Sequence, residues 1–228
     1  MKKPPVGTTA GAIAVTLSLG LVGCGSSTDT ASTTTPTAAA ETTTTAATTP
    51  EASDRDTIND YITENDIAET PIKPGEPGTP NFDFPIPPQW RDAGEMTPDW
   101  AYGAILYDNP TDPNDPPDMY AIASKLTGNV DAARILEYAP QQLEEMNEFK
   151  PIGEPERTSL SGFDAISFAG TYMNEGKERF VAQKTVVVPA ADGLFVLQLN
   201  GDSLASEQNV VLDAAKVVNE QTTITPPQ

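Results

Sequence analysis

Residues 26–52 set the strongest limit on what this chain can fold into, because they contain none of the bulky apolar side chains that a hydrophobic core requires. Thr, Ala, Ser and Pro dominate this stretch, with a few acidic residues and no apolar periodicity. Such a composition predicts an extended, disordered tether. A single folded domain of ordinary size is therefore expected over residues 56–228 of this 228-residue chain.

The segment before the tether is typical of an export signal. Lys2 and Lys3 form a basic start, and residues 10–21 form an apolar run. About a dozen apolar residues suit a signal-peptide core and are too short for a transmembrane helix, which needs ~20. The pattern predicts a signal peptide over residues 1–23.

Cys24 is the only cysteine in the chain, and it follows Leu21, Val22 and Gly23. This order resembles the bacterial lipobox, which implies lipid transfer to the Cys24 sulfur, cleavage before Cys24 and acylation of the new amino terminus. Residues 24–55 would then be a lipidated tether. Because two or three acyl chains anchor a protein stably, the exported chain is expected on the outer face of the cell membrane. A buried thiol is the disfavoured alternative.

Charge and composition exclude several classes of function. The chain has 33 acidic and 13 basic residues, no His and one Cys. The acidic excess argues against nucleic-acid binding, which needs Lys and Arg at the phosphates. Without His, the usual nucleophile-imidazole pairs and His-based metal sites are absent. We therefore predict a protein that is not an enzyme and that has no cofactor or catalytic residue.

The pattern beyond residue 56 predicts an α+β fold. Ile58, Tyr61 and Ile62 have helical spacing after a cap at Asp56 or Thr57. Further helices are expected over residues 131–149, with a break at Pro140, and over 204–219, with Asp202 or Ser203 as the cap. Strands are expected in the ranges 82–86, 101–107, 119–126, 165–173, 179–188 and 194–200. The last three would form an antiparallel meander.

The acidic loop over residues 108–118 raises the question of a calcium site. It lacks the D-x-D-x-D-G pattern and the Glu at the twelfth position of an EF-hand loop. Its Asn-Pro and Asp-Pro steps are strong turn formers. We therefore favour a stiff, solvated hairpin loop and predict no metal site.

Aromatic residues cluster between positions 82 and 120. We assign Phe82, Phe84 and Trp90 to the core. Because Tyr and Trp combine apolar area with a polar group, the others are candidates for binding a sugar ring or an acyl chain. These candidate ligand residues are Trp100, Tyr102, Tyr107 and Tyr120, with the first two favoured.

A second candidate surface consists of the scarce cations Arg157, Lys177, Arg179 and Lys184. Most often such residues form a solvated strand face. The alternative is a docking patch for an acidic partner or a phosphate-bearing lipid.

Several long segments resemble a known family. They include "DYITENDIAETPIKPGEPGTPNFDFPIPPQW", "VAQKTVVVP", "LFVLQLN" and "DAAKVVNEQTTITP". Together with "DPNDPP" and "SKLTG", they resemble the mycobacterial LpqN/LpqT-type lipoproteins over about residues 60–226. The resemblance implies a PsbP-like fold, an antiparallel sheet flanked by helices. It also implies a non-catalytic role in cell-envelope biogenesis, with MmpL-type lipid exporters and trehalose-containing glycolipids as partners.

Two hypotheses on function remain open. The first is a lipid-anchored accessory protein that binds envelope glycolipid or the outer domains of an exporter. The second is a surface-exposed protein-protein interaction module without a lipid ligand. An apolar cavity lined by Trp100 or Tyr102 would favour the first, whereas a filled core would favour the second.

Overall fold

The computed structural model describes residues 57–227. Within them lie helices α1 (Ile58–Glu64), α2 (Ala132–Tyr138), α3 (Gln141–Glu144) and α4 (Gln208–Gln221). The strands are β1 (Ala68–Pro71), β2 (Asn81–Asp83), β3 (Trp90–Asp92), β4 (Gly103–Tyr107), β5 (Asp118–Thr127), β6 (Lys150–Pro151), β7 (Glu156–Leu160), β8 (Phe163–Asn174), β9 (Lys177–Ala190), β10 (Gly193–Leu204) and β11 (Thr223–Thr225).

Nine of these strands form one antiparallel sheet in the order β3-β4-β5-β10-β9-β8-β6. Strand β1 also pairs with β5, and β7 also pairs with β8. The long β8-β9-β10 meander is confirmed. Its first turn has positive φ at Glu175 (50°) and Gly176 (76°), as a two-residue type I′ hairpin requires. The α+β class is therefore confirmed.

Helices cover both faces of this sheet. Successive residues of a strand point to opposite sides, so one strand contributes to the packing on both faces. On β9, Phe180, Val186 and Val188 belong to the side covered by α4 and by the small β2-β11 sheet. We call this side the α4 face. Val187 packs on the other side with α1 and α2, and Val181 packs there against α3. The sheet is thus the middle layer of the domain.

Local sequence signals explain the first helices. The Thr57 hydroxyl accepts a hydrogen bond from the Asp60 N–H, and the Asp60 carboxylate accepts one from the Thr57 N–H. This is a capping box, which satisfies backbone donors at the start of α1. The predicted break at Pro140 is confirmed, because α2 ends at Tyr138 and α3 begins at Gln141.

Helix α4 approaches the sheet closely because Gly201 has no side chain. A Cβ added at Gly201 would lie 2.5 Å from Cγ1 of Val211. Real Cβ atoms do not come that close to another heavy atom, so a larger residue would push the helix away from the sheet. Gly201 therefore sets the distance between α4 and β10.

The predicted bounds of three elements are wrong. Strand β10 continues to Leu204, so the last helix begins at Gln208 after a 3-10 turn over Ala205–Glu207. Neither Asp202 nor Ser203 caps it, because both lie within β10. The predicted helix over 131–149 ends at Glu144, and the strand near Phe82 stops at Asp83.

No helix within residues 57–227 combines the length and the apolar character needed to cross a bilayer.

Candidate ligand-binding site

An aromatic cavity of about 320 Å³ lies on the α4 face. Pairing between β2 and β11 places Phe82 opposite Ile224, and the chain then runs through Phe84 and Ile86 along the cavity wall. Strands β4 and β5 and the residue before β4 supply further lining residues. These are Tyr102, Gly103, Ala104, Ile105, Met119, Tyr120 and Ala121.

The wall of the aromatic cavity is a packed set of three rings. The edge of Tyr102 meets Phe82 at 5.3 Å between ring centroids, and Phe84 lies 6.2 Å from Tyr102. Such edge-to-face contacts hold ring orientations in place. Burial raises the pKa of Tyr102, so its hydroxyl keeps its proton. The cavity thus has firm aromatic walls and a neutral hydroxyl group, and the carboxylates of Asp83 and Asp92 also line it.

A second cavity, of about 240 Å³, lies between α4 and strands β7 to β9. We call it the polar cavity, because six polar residues line it beside apolar ones. The polar residues are Glu154, Glu156, Ser167, Gln183, Lys184 and Asn219. Its apolar lining includes Ala182, Val211 and Leu212.

The two cavities share three lining residues, namely Met119, Leu199 and Val218. Met119 and Leu199 come from β5 and β10, and Val218 comes from α4. Met119 and Val218 are buried in one apolar cluster with Leu199 packed against it. The same apolar side chains therefore form the boundary between the aromatic cavity and the polar cavity.

Lys184 is the cation of the polar cavity. Burial lowers its pKa, and the nearby Glu156 carboxylate opposes that effect. Among residues 57–227, no hydrogen bond or ion pair reaches its ammonium group. A half-buried ammonium without a partner is an available hydrogen-bond donor.

The structure separates the four predicted cationic residues. Lys177 and Arg179 both pair with Asp115 of the acidic loop, at 2.9 and 2.8 Å, and Arg179 also pairs with Asp202. Arg157 pairs with Ile166 in the β7-β8 register, whereas Lys184 lies opposite Ser167. Ile166 and Ser167 are consecutive residues of β8, so their side chains point to opposite faces of the sheet. Arg157 and Lys184, which lie beside them, therefore also project from opposite faces.

The predicted aromatic ligand residues also lie in different places. Tyr102 and Tyr120 line the aromatic cavity. Trp100 is 55% exposed, and its ring meets the Tyr120 ring at 5.2 Å. Tyr107 packs on Trp90 at 5.7 Å and donates a hydrogen bond to Gln89, outside the aromatic cavity. Phe82 and Trp90 are buried, and Phe84 is partly buried, as predicted for core residues.

Sequence reasoning did not identify the polar cavity. Its residues come from α4, from the loop after β6 and from the five strands β5, β7, β8, β9 and β10. Alternation along β9 places Lys184 among the apolar residues Ala182 and Val186, which is the one local signal of an unusual position. Within the described part of the chain, no group of acidic or Cys side chains is arranged to hold a metal ion.

Comparisons with known proteins agree on one family. The family described as "Probable lipoprotein LpqN" matches residues 54–225. Lipoprotein LpqN of Mycobacterium tuberculosis is 49% identical over 170 residues, which are 75% of this chain and 74% of that protein. A crystal structure of LpqN, described as involved in cell envelope biogenesis of M. tuberculosis, superposes with a TM-score of 0.73 at 48% identity, covering 76% of this chain and 99% of that one. The chain therefore belongs to the LpqN lipoprotein family.

Proposed function

We propose that this protein is a lipid-anchored, non-catalytic accessory protein of the cell envelope that binds an envelope glycolipid of the trehalose type. The observation that carries the proposal is the aromatic cavity, which offers an acyl chain an apolar site on the α4 face. The described involvement of the related LpqN in cell envelope biogenesis supports the same role.

The aromatic cavity has the size and chemistry of a small-molecule site. Its volume of about 320 Å³ falls in the usual range of ligand pockets, about 300–1,000 Å³. Each buried CH₂ group contributes about 0.8 kcal/mol, so eight of them would contribute about 6 kcal/mol. An acyl chain can therefore supply most of the binding free energy of a glycolipid.

The proposed anchor and tether explain how the domain meets its ligand. Acylation of Cys24, which lies outside the described residues, would hold the chain at the outer face of the cell membrane. A flexible tether over residues 24–55 would have a root-mean-square span of about 30 Å. The domain would then work beside MmpL-type exporters, receiving glycolipid that these proteins deliver.

The interaction module without a lipid ligand is the second candidate. It is favoured by three exposed apolar side chains, Ile86 (53%), Met96 (59%) and Trp100 (55%). Large exposed apolar residues often mark protein-protein contacts. On this account, pulldowns would recover the same proteins whether or not lipid is present.

Lipid extraction and titration test the first proposal. The mature chain, residues 24–228 with Cys24→Ser, should carry lipid after purification and should bind trehalose monomyristate in a calorimetric titration. Phe84→Ala should weaken binding about tenfold, because the apolar contact between the Phe84 ring and the acyl chain contributes roughly 1.5 kcal/mol to binding. Phe149→Ala, in a different apolar cluster, is the matched control and should keep the affinity. Absence of both carried lipid and titrated binding would refute the glycolipid proposal.

A further inference from the structure

We infer that the sheet surface opposite α4 is a docking site for a segment of a partner protein that carries arginine and aliphatic side chains, with Asp118 as the charged contact. We call this surface the open face. It consists of Trp100, Leu106, Asp118, Tyr120, Ile122 and Gln198. The inference does not depend on glycolipid binding, because the open face lies on the other side of the sheet from α4.

Alternation along β5 defines the open face. Met119 and Ala121 belong to apolar clusters on the α4 face, so Asp118, Tyr120 and Ile122 point to the opposite side. Residues that pair across strands share a side of the sheet. The cross-strand partners on the open face include Leu106 and Gln198.

The helices on this side of the sheet leave the open face uncovered. Helix α2 packs on β9, and α3 packs on β8. Within residues 57–227, no apolar cluster includes Leu106, Tyr120 or Ile122. These three side chains are half-buried, and the Trp100 ring beside Tyr120 is 55% exposed. The open face therefore offers aromatic and aliphatic area to a partner.

Asp118 is a carboxylate of the open face that lacks a partner. Among residues 57–227, no hydrogen bond or ion pair reaches its side chain. Asp202, opposite it on β10, accepts hydrogen bonds from both Tyr172 and Arg179. Because a hydrogen-bonded cation stabilises a desolvated carboxylate strongly, a basic side chain from a partner would satisfy Asp118.

The rings beside Asp118 suit an arginine in particular. Burial raises the pKa of Tyr120, and the charges of Asp118 and Asp202 add to this effect, so the Tyr120 ring lies close to both carboxylates. Trp100 meets Tyr120 edge to face, with 5.2 Å between the ring centroids. A guanidinium group can stack on an aromatic ring and donate paired hydrogen bonds to a carboxylate. The open face presents both groups together.

Charge excludes three other occupants of the open face. A second copy of this chain carries the same formal net charge of −20 and would be repelled. The tether over residues 24–55 has four acidic residues and one basic residue. Phospholipid surfaces are neutral or anionic. A basic segment of another protein is the occupant that complements Asp118.

Fluorescence anisotropy tests the inference with the mature chain carrying Cys24→Ser. The probe is a fluorescein-labelled peptide of alternating Arg and Leu. It is measured at about 0.15 M salt, where a Debye length of about 8 Å screens the general charge of the chain. Asp118→Asn should weaken binding about tenfold, as expected for a lost hydrogen bond to a charged group. Trp100→Ala should have a similar effect, because interface tryptophans contribute strongly to binding.

Glu220→Gln and Leu212→Ala are the matched controls, because both side chains are exposed on α4. Each should change the peptide affinity by less than about twofold. Unfolding would not explain a loss of binding in Asp118→Asn, since removal of a buried, unpaired carboxylate stabilises the folded domain. Phe84→Ala, in the aromatic cavity, should also leave the peptide affinity unchanged, so this inference and the glycolipid proposal fail separately.

The pH dependence of binding provides a second measurement. Burial and the charges of Asp202 and Asp115, opposed by Arg179, raise the pKa of Asp118 to about 7. The peptide affinity of the parent should therefore fall as the pH is lowered from about 8 to about 6, because the carboxylate is protonated. Asp118→Asn should remove this dependence.

Three results would overturn the inference. One is parent-like peptide affinity in either Asp118→Asn or Trp100→Ala. Another is equal binding of a peptide that has Gln in place of Arg, since the charge would then not matter. The third is the absence of saturable binding of the Arg-Leu peptide to the parent chain.

Discussion

Arg179 is the most constrained charged residue of the described domain. Its side chain is buried, and its guanidinium donates hydrogen bonds to Asp115 and Asp202. Although burial alone lowers the pKa of Arg179, the bonds to Asp202 and Asp115 raise it above its ordinary value. Tyr172 donates a 2.7 Å hydrogen bond to Asp202. One cation thus fastens the acidic loop to the end of the main sheet.

Replacing Arg179 by Met should destabilise the protein strongly. The change would leave the carboxylates of Asp115 and Asp202 without their cation, and removal of one partner from a buried ion pair costs about 3–5 kcal/mol. Urea unfolding at pH 7 measures this loss. Arg134→Met removes an exposed pair with Glu137 and should change the free energy of unfolding by less than about 1 kcal/mol. Equal effects of the two changes would contradict the role assigned to Arg179.

Asp118 should make stability fall as the pH rises from about 4 to about 7. Burial, with repulsion from Asp202 and Asp115 outweighing attraction by Arg179, raises its pKa from 3.8 to about 7. In this window the folded protein holds a proton that the unfolded chain has lost, so stability declines with pH. Burial also raises the pKa of Asp202, whereas Lys177 and Arg179 lower that of Asp115.

Asp118→Asn tests directly whether protonation of Asp118 makes stability fall as the pH rises. Above pH 7 the variant should be more stable than the parent, by at most about 4 kcal/mol, since one unit of pKa corresponds to about 1.4 kcal/mol. At pH 4 the two should be equally stable. Asp164→Asn, at an exposed position on β8, is the control and should show no such divergence. A constant difference between Asp118→Asn and its parent at all pH values would refute the protonation argument.

At the scale of elements, signals that act within a few residues predict structure better than pairings between distant segments. Apolar spacing, the Thr57 cap and Pro140 act within a few residues, and they predicted α1 and the α2-α3 break. The β2-β11 pair was not predicted, because its two strands lie far apart in sequence. Strand β7 was not predicted either, although it pairs with the adjacent β8, because its mostly polar, exposed residues carry no apolar alternation. The start of α4 was misplaced since Asp202, an ordinary capping residue in sequence, is instead a partner of Arg179.

Gly201→Ala should loosen the packing of α4 on the sheet. The new Cβ would come within 2.5 Å of Val211, and overpacking of this kind typically costs about 1–3 kcal/mol. Thermal unfolding should therefore show a lower Tm. Gly103→Ala is the matched control, because nothing lies within 4 Å of a Cβ added there. The control should be neutral or slightly stabilising, and an unchanged Tm for Gly201→Ala would contradict the close approach of α4.

At the scale of the whole molecule, the sequence identified the chemistry of the site better than its shape. Tyr102 was a candidate from its residue type and position, and it lines the aromatic cavity. Leu199 and Val218 gave no functional signal, since in sequence they are ordinary apolar residues of a strand and a helix. Their role depends on how α4 docks, which no local pattern specifies. For the same reason the polar cavity around Lys184 was visible only in the folded domain.

The central claim is that the acyl chain of a glycolipid lies in the aromatic cavity beneath α4, and photocrosslinking tests it most directly. A trehalose monomyristate with a diazirine near the chain terminus would be irradiated with the mature chain carrying Cys24→Ser, and labelled peptides identified by mass spectrometry. We predict labels at residues 82–86 and 102–105, which line the aromatic cavity. Labels confined to other surfaces, or no saturable labelling, would contradict the account.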